Sequence, residues 1–133
     1  MSIQCTITTP EKLVYEGDAK LVVVPAVDGE LGVLPGHAPL MALLGIGELR
    51  IQADNSTERF FVCGGFVQVI HNKVMVLATE ADKSSEIDQQ GAREALERIL
   101  EEKPVGNPSI EEIETHNKDL RAAQMKVKIA AGV

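Results

Sequence analysis

Residues 74–100 read VMVLATEADKSSEIDQQGAREALERIL, and the hydrophobic period changes within them. Val74 to Ala78 is a short β-rich run, whereas from Ser84 onward the spacing is helical. On a helical projection Ala92, Ala95, Leu96, Ile99 and Leu100 share one face, with Arg93, Glu94, Glu97, Arg98 and Glu101 mostly off it. Ser85-Glu86-Ile87-Asp88 has the hydroxyl-then-acid spacing of a capping box, in which side chains satisfy backbone N–H groups at a helix start. The chain therefore divides into a β-rich part, residues 1–83, and a helical part, residues 84–133.

Upstream of the change the pattern is short and punctuated. Ile3-Cys5-Ile7, Lys12 to Tyr15, Lys20 to Val24, Leu31 to Leu34, Pro39 to Leu44, Glu48 to Ala53, Arg59 to Cys63 and Phe66 to Ile70 are strand-like. Thr9-Pro10, Asp28-Gly29, Pro35-Gly36, Asp54-Asn55-Ser56, Gly64-Gly65 and His71-Asn72 are turn formers between them. Short strands at nearly regular spacing, each burying one face, predict an antiparallel β-sandwich.

Downstream, Lys103-Pro104-Val105-Gly106-Asn107-Pro108 breaks the first helix, because proline disfavours helix in the residue before it and glycine serves as a stop. Ser109-Ile110-Glu111-Glu112 is a second capping box. Ile113, Leu120, Ala123 and Val127 then line one side of a helix running to about Ala131, and the short linker predicts an antiparallel hairpin. Gly91 lies inside the first helix, where glycine costs roughly 1 kcal/mol relative to alanine. The apolar seam is thin, so a loosely held hairpin is expected.

Charge is unevenly divided along this tail. Residues 84–114 carry nine acidic and three basic groups, residues 115–133 one acidic and four basic. The four are Lys118, Arg121, Lys126 and Lys128, which the helical pattern places away from the seam. One reading is a solvated face that complements the negative end of the helix dipole. The other is an electrostatic contact with an acidic partner.

The whole chain has 133 residues and a formal charge of −7, which argues against a nucleic-acid surface, where clustered cations must displace phosphate counterions. Hydrophobic residues make up 44% and aromatic residues only 3%, so Val, Ile, Leu and Met must fill the core. Leu21 to Val27, the longest apolar run, is interrupted by Pro25 and too short to span a bilayer. The N-terminal MSIQCTITTP lacks the basic-then-apolar order of a secretory signal. Cys5 and Cys63 have no metal-ligand spacing and read as reduced core thiols, which predicts a cytoplasmic chain.

Catalytic and ligand motifs were sought and are absent. There is no phosphate loop, HExxH or GxSxG, and Gly45-Ile46-Gly47-Glu48-Leu49-Arg50 lacks the third glycine and the following helix of a dinucleotide fingerprint. His37, His71 and His116 have no paired spacing for a metal, so no metal and no catalytic residue is expected. His37 stands in ELGVLPGHAPL without the carboxylate or hydroxyl that orients a catalytic imidazole.

GELGVLPGHAPLMALLGIGELRI at 29–51, FVCGGFVQVIHNKVMVLATEA at 61–81 and the alanine- and charge-rich hairpin together resemble, in order and over the entire chain, the epsilon subunit of the F-type rotary ATP synthase. The resemblance implies a β-sandwich of about ten strands followed by two helices. It implies a non-catalytic central-stalk subunit without cofactor, which couples the catalytic head to the membrane c ring during proton-driven ATP synthesis. Its partners would be the gamma subunit, the c ring and, through the hairpin, alpha and beta. Its place would be peripheral, on the cytoplasmic face of the inner membrane.

Residue by residue, the resemblance puts loops around the GELG and PGH elements at one end of the sandwich, facing the rotor, so Glu30, Gly36, His37 and Ala38 become docking residues. A turn closed by a backbone hydrogen bond is the alternative role for His37. The hairpin would lie folded on the sandwich or extend into the catalytic head, where it inhibits ATP hydrolysis and where Lys118, Arg121, Lys126 and Lys128 would meet acidic segments. Some members bind ATP through Ile or Leu, Asp, two variable residues, Arg and Ala. Here Ile87, Asp88 and Ala92 match but Gly91 replaces the arginine, and Arg93, about 200° around the helix, does not reach its place. Weak or no ATP binding is therefore expected.

Overall fold

A computed structural model describes residues 2–102 and 106–131; of the predicted linker, 103–105 lie outside the described residues. The strands are β1 (Ile3–Thr8), β2 (Leu13–Ala19), β3 (Leu21–Ala26), β4 (Gly29–Val33), β5 (Leu40–Leu43), β6 (Ile46–Gln52), β7 (Thr57–Ile70) and β8 (Lys73–Lys83). Two helices follow, α1 (Gln89–Glu101) and α2 (Ile110–Ala130). The sandwich plus helical hairpin expected from the period change is observed.

Eight strands replace the expected ten or so. The runs 59–63 and 66–70, read as separate strands around a glycine turn, are one strand of 14 residues. Gly64 and Gly65 have φ of 70° and 104°, a left-handed backbone that only glycine adopts without strain. A Cβ on Gly65 would stand 1.8 Å from the carbonyl oxygen of Leu77, so backbone passes backbone there. At this bend β7 changes neighbour, pairing through Val62 with Gly47 of β6 and through Phe66 with Leu43 of β5.

The hydrogen-bonded order is β2-β1-β8-β7-β6-β3-β4, with β5 on the second half of β7. The ladder is antiparallel except where β1 runs parallel to β8, Cys5 opposite Val74. A parallel pair needs a long crossover, and the six intervening strands supply it. The sheet folds over a single core of inward residues: Ile3, Cys5 and Ile7 from β1, Leu49 and Ile51 from β6, Val74, Val76 and Ala78 from β8, with Phe60 between them. His71 and Asn72, with φ of 49° and 59°, form the tight β7–β8 turn.

The first helix starts later than its capping box predicted. Ser84–Glu86 form one 3-10 turn without a side-chain cap, and Asp88 is the N-cap of α1, its carboxylate accepting from Gln90 N at 3.2 Å. An ionised acceptor suits the positive end of the helix dipole, and Gly91 gives that carboxylate room. A Cβ at position 91 would lie 2.8 Å from Asp88 Oδ2. Ser109 caps α2 as predicted, its Oγ accepting from Glu112 N at 3.1 Å. Gln89 at the start of α1 donates from Nε2 to the Ala130 oxygen at the end of α2, so the helices are antiparallel.

The hairpin seam departs from the projection at its ends. Ala92 and Ala123 are buried, but Leu100 and Ile113 are exposed. Ile129, which the projection left out, is 1% exposed.

Candidate functional site

The PGH loop is rigid by construction. His37 N donates to the Leu34 oxygen at 3.1 Å, and Gly36, with a φ of 85°, donates to Asn72 Oδ1 at 2.7 Å. His37 Nδ1 lies 2.7 Å from the Ala38 oxygen. The imidazole is thus tied to its own backbone, and among the described residues no acid or hydroxyl is hydrogen-bonded to it. Ala38 and Gly36 are exposed, on a loop anchored to the β7–β8 turn.

Glu30 stands earlier on β4. It lies next to the β3–β4 turn, opposite Pro25 of β3, with its Oε2 3.3 Å from Arg50 Nη1. Arg50 also pairs with Glu48 at 3.3 Å. The PGH loop follows the end of β4, which Val33 closes three residues and about 10 Å beyond Glu30 at roughly 3.3 Å per residue.

A larger surface escaped the sequence reading. Met41 and Leu43 are each 64% exposed, and Phe66, Met75 and Leu77 are exposed beside them. The registers set them in two rows: Leu43 opposite Phe66 opposite Leu77, and Met41 opposite Gln68 opposite Met75. Antiparallel strands normally turn polar residues outward. In β8 the outward positions 75 and 77 are apolar while 74 and 76 fill the core, and that double-sided run was the available signal. A contiguous exposed apolar face of this kind marks an interaction surface.

On another part of the outer face lies α2. Phe61 is fully buried yet outside the sandwich core, because α2 covers it. Lys126 Nζ stands 5.2 Å from the Phe61 ring centroid, 2.5 Å from Glu80 Oε1 and 3.6 Å from Asp82 Oδ2. Burial pulls the Lys126 ammonium pKa down, but the hydrogen bond and charge of Glu80, joined by Asp82, outweigh this and raise it above the usual lysine value. Cys63, two positions beyond Phe61 on the same face, has its thiol pKa raised by burial and by Glu80, against the lowering by Lys118 and Lys126.

Of the four basic residues, Lys118, Arg121 and Lys128 are exposed and Lys126 is half-buried. Lys128 borders a cavity of about 470 Å³ between α2 and the sheet, together with Glu30, Glu48, Arg50, Met125 and Ile129. Lys118 and Arg121, both exposed, border a groove over Ala26, Leu44, Gly45 and Gly64. Three of the cations thus stand in solvent at the edge of the helix–sandwich seam, and Lys126 lies within it.

Of the nucleotide-motif residues, Asp88 is engaged as a cap, Ile87 is half-buried and Ala92 is buried in the hairpin. Ala92 borders a cavity of about 230 Å³ with Ala95, Ile99, Asp119, Glu80 and Lys126. Among the described residues Lys126 is the one cation on its lining, and two carboxylates already hold it. No described helix is long and apolar enough to cross a membrane.

Comparison with known proteins completes the description. The family model for the ATP synthase delta/epsilon chain, beta-sandwich domain, matches residues 2–84. An ATP synthase epsilon chain from Carboxydothermus hydrogenoformans is 46% identical over 99 residues, 74% of this chain and 74% of that one. The ATP synthase epsilon chain, sodium ion specific, from Propionigenium modestum is 38% identical over 124 residues, covering 93% and 90%. Among solved structures, a chain of the Euglena gracilis mitochondrial ATP synthase superposes with a TM-score of 0.80 at 22% identity, covering 99% of this chain and 82% of that one. That last likeness shows that the fold, hairpin included, recurs.

Proposed function

The chain belongs to the ATP synthase delta/epsilon chain family, and from that premise we propose that it is the epsilon-type subunit of the central stalk, coupling the catalytic head to the membrane c ring. It is a non-catalytic subunit within the ATP synthase complex. The two parts divide the work. Residues 1–83 dock the rotor, and residues 84–133 regulate ATP hydrolysis.

The observation that carries this reading is the open apolar face of Met41, Leu43, Phe66, Met75 and Leu77. Its two rows of side chains span β5, β7 and β8 with no covering element among the described residues, and a helical shaft would bury them. The gamma subunit is the partner assigned to this face. Gly36, His37 and Ala38, on a loop pre-set by Asn72, face the c ring, and pre-set geometry lowers the ordering cost of docking. Glu30, paired with Arg50, is assigned with them to the rotor contact. In the extended hairpin Lys118, Arg121, Lys126 and Lys128 meet acidic segments of alpha or beta. The complex places the chain peripherally at the cytoplasmic face of the cell inner membrane, and the c ring sets which ion drives it.

Leu43→Glu combined with Leu77→Glu tests the docking face. Both side chains are exposed, so the variant keeps its sandwich, and binding to a gamma-containing complex should be lost. Equal binding by the folded double variant overturns the assignment of this face.

A further inference from the structure

The hairpin is held to the sandwich by few contacts. Ile129 and Ala123 supply its buried apolar part, and Phe61 is the aromatic floor beneath α2. Among the described residues, the ion pairs from α2 to a strand are those of Lys126 with Glu80 and Asp82, 46 and 44 residues away in sequence. Lys126 therefore links the two units at one point where ionic, hydrogen-bonded and cation–π contacts coincide.

We propose that Lys126 is the latch of the folded hairpin: Glu80 and Asp82 fix α2 on the sandwich through it and in doing so withhold that cation from an acidic protein surface outside the chain. The second clause rests on the regulatory reading of the hairpin given above; the first stands without it. When α2 leaves, the same ammonium becomes free, Phe61 and Cys63 lose their cover, and Glu80 and Asp82 are left as uncompensated carboxylates on the sheet. The two positions of the hairpin thus compete for one lysine, and neutralising the carboxylates has the opposite effect on inhibition from neutralising the lysine.

Amide exchange of the isolated full-length chain reads the latch directly. Partly exposed ion pairs together with a cation–π contact shift an opening equilibrium by on the order of tenfold. Lys126→Gln should therefore speed exchange across α2 by about tenfold, while β1, β6 and β8 keep their protection. Glu80→Gln with Asp82→Asn should match it, the triple variant should add little more, and Lys126→Arg should stay near wild type. Concentrated salt should speed α2 exchange in the wild type and not in Lys126→Gln. If Lys126→Gln exchanges within twofold of wild type, the latch is refuted.

A second arm separates the latch from the regulatory reading. In reconstituted ATP synthase, Glu80→Gln with Asp82→Asn should deepen inhibition of ATP hydrolysis, and Lys126→Gln should relieve it. If α2 exchange responds as stated but hydrolysis is the same in all variants, the latch stands and the regulatory reading falls.

Discussion

Ile129→Ala should release the hairpin without unfolding the sandwich. Ile129 is 1% exposed and lies outside the core cluster that β1, β6, β7 and β8 enclose. The substitution removes three carbons, which at about 0.8 kcal/mol each weakens docking by about 2.4 kcal/mol. This lies toward the lower end of the usual cost for truncating a buried isoleucine, as suits a site that a shifting helix can partly close. It corresponds to roughly a 60-fold change in the docking equilibrium. The chain has one tyrosine and no tryptophan, and Tyr15 packs edge-on to Phe60 at 5.4 Å, so tyrosine emission during guanidinium unfolding reports the sandwich alone. Amide exchange reports α2. The account expects the Tyr15 transition to move by less than about 0.5 kcal/mol, since surface changes away from the core stay within that range. Exchange of α2 should accelerate roughly 60-fold. A sandwich transition weakened by the full 2 to 3 kcal/mol, or unchanged α2 exchange, refutes the separation of the two units.

Three further outcomes follow from the same structure. Gly65→Ala forces a Cβ to within 1.8 Å of the Leu77 oxygen at a φ of 104°, so the sandwich should lose about 3 kcal/mol or more in denaturant unfolding. Lys126 titrates above the usual lysine value when docked, so its stabilisation is fully present below about pH 10.4 and is lost as pH rises through the docked value; exchange of α2 should quicken only in that alkaline window, and loosening between pH 7 and 9 contradicts it. Titration calorimetry should find no micromolar ATP binding to the isolated chain, because Gly91 supplies no cation, Asp88 caps its own helix and Lys126 is paired.

Much of the fold was legible because it is written in local periods. The alternation Ile3-Cys5-Ile7 and the helical spacing from Ala92 to Ile99 are both one-dimensional patterns; the first three are buried, and in the helix Ala92 is buried while Ala95, Leu96 and Ile99 are half-buried. The misreadings arose where local chemistry admits two outcomes. Gly64-Gly65 reads as a turn in the sequence, yet positive φ also serves a bend within one strand when another backbone passes close. Ser85 and Asp88 could each cap a helix, and the carboxylate prevailed. The site was less legible. How far Glu30 stands from His37 depends on strand length and pairing. Lys126 looked solvated on a helical wheel because its neighbours Phe61, Glu80 and Asp82 belong to distant strands. Met41, Leu43 and Phe66 lie in strand-like runs whose outward side only the sheet pairing reveals.

The central claim is that the sandwich docks the rotor while the hairpin restrains hydrolysis. It is tested most directly by adding the full-length chain, or the chain truncated after Lys83, to an epsilon-depleted ATP synthase from its own source. Rebinding of the catalytic head, ion-driven ATP synthesis and ATP hydrolysis are followed together. The account predicts that both forms restore binding and coupling and that the full-length form alone suppresses hydrolysis. Failure of both forms to bind, or equal suppression of hydrolysis by the truncated chain, contradicts it.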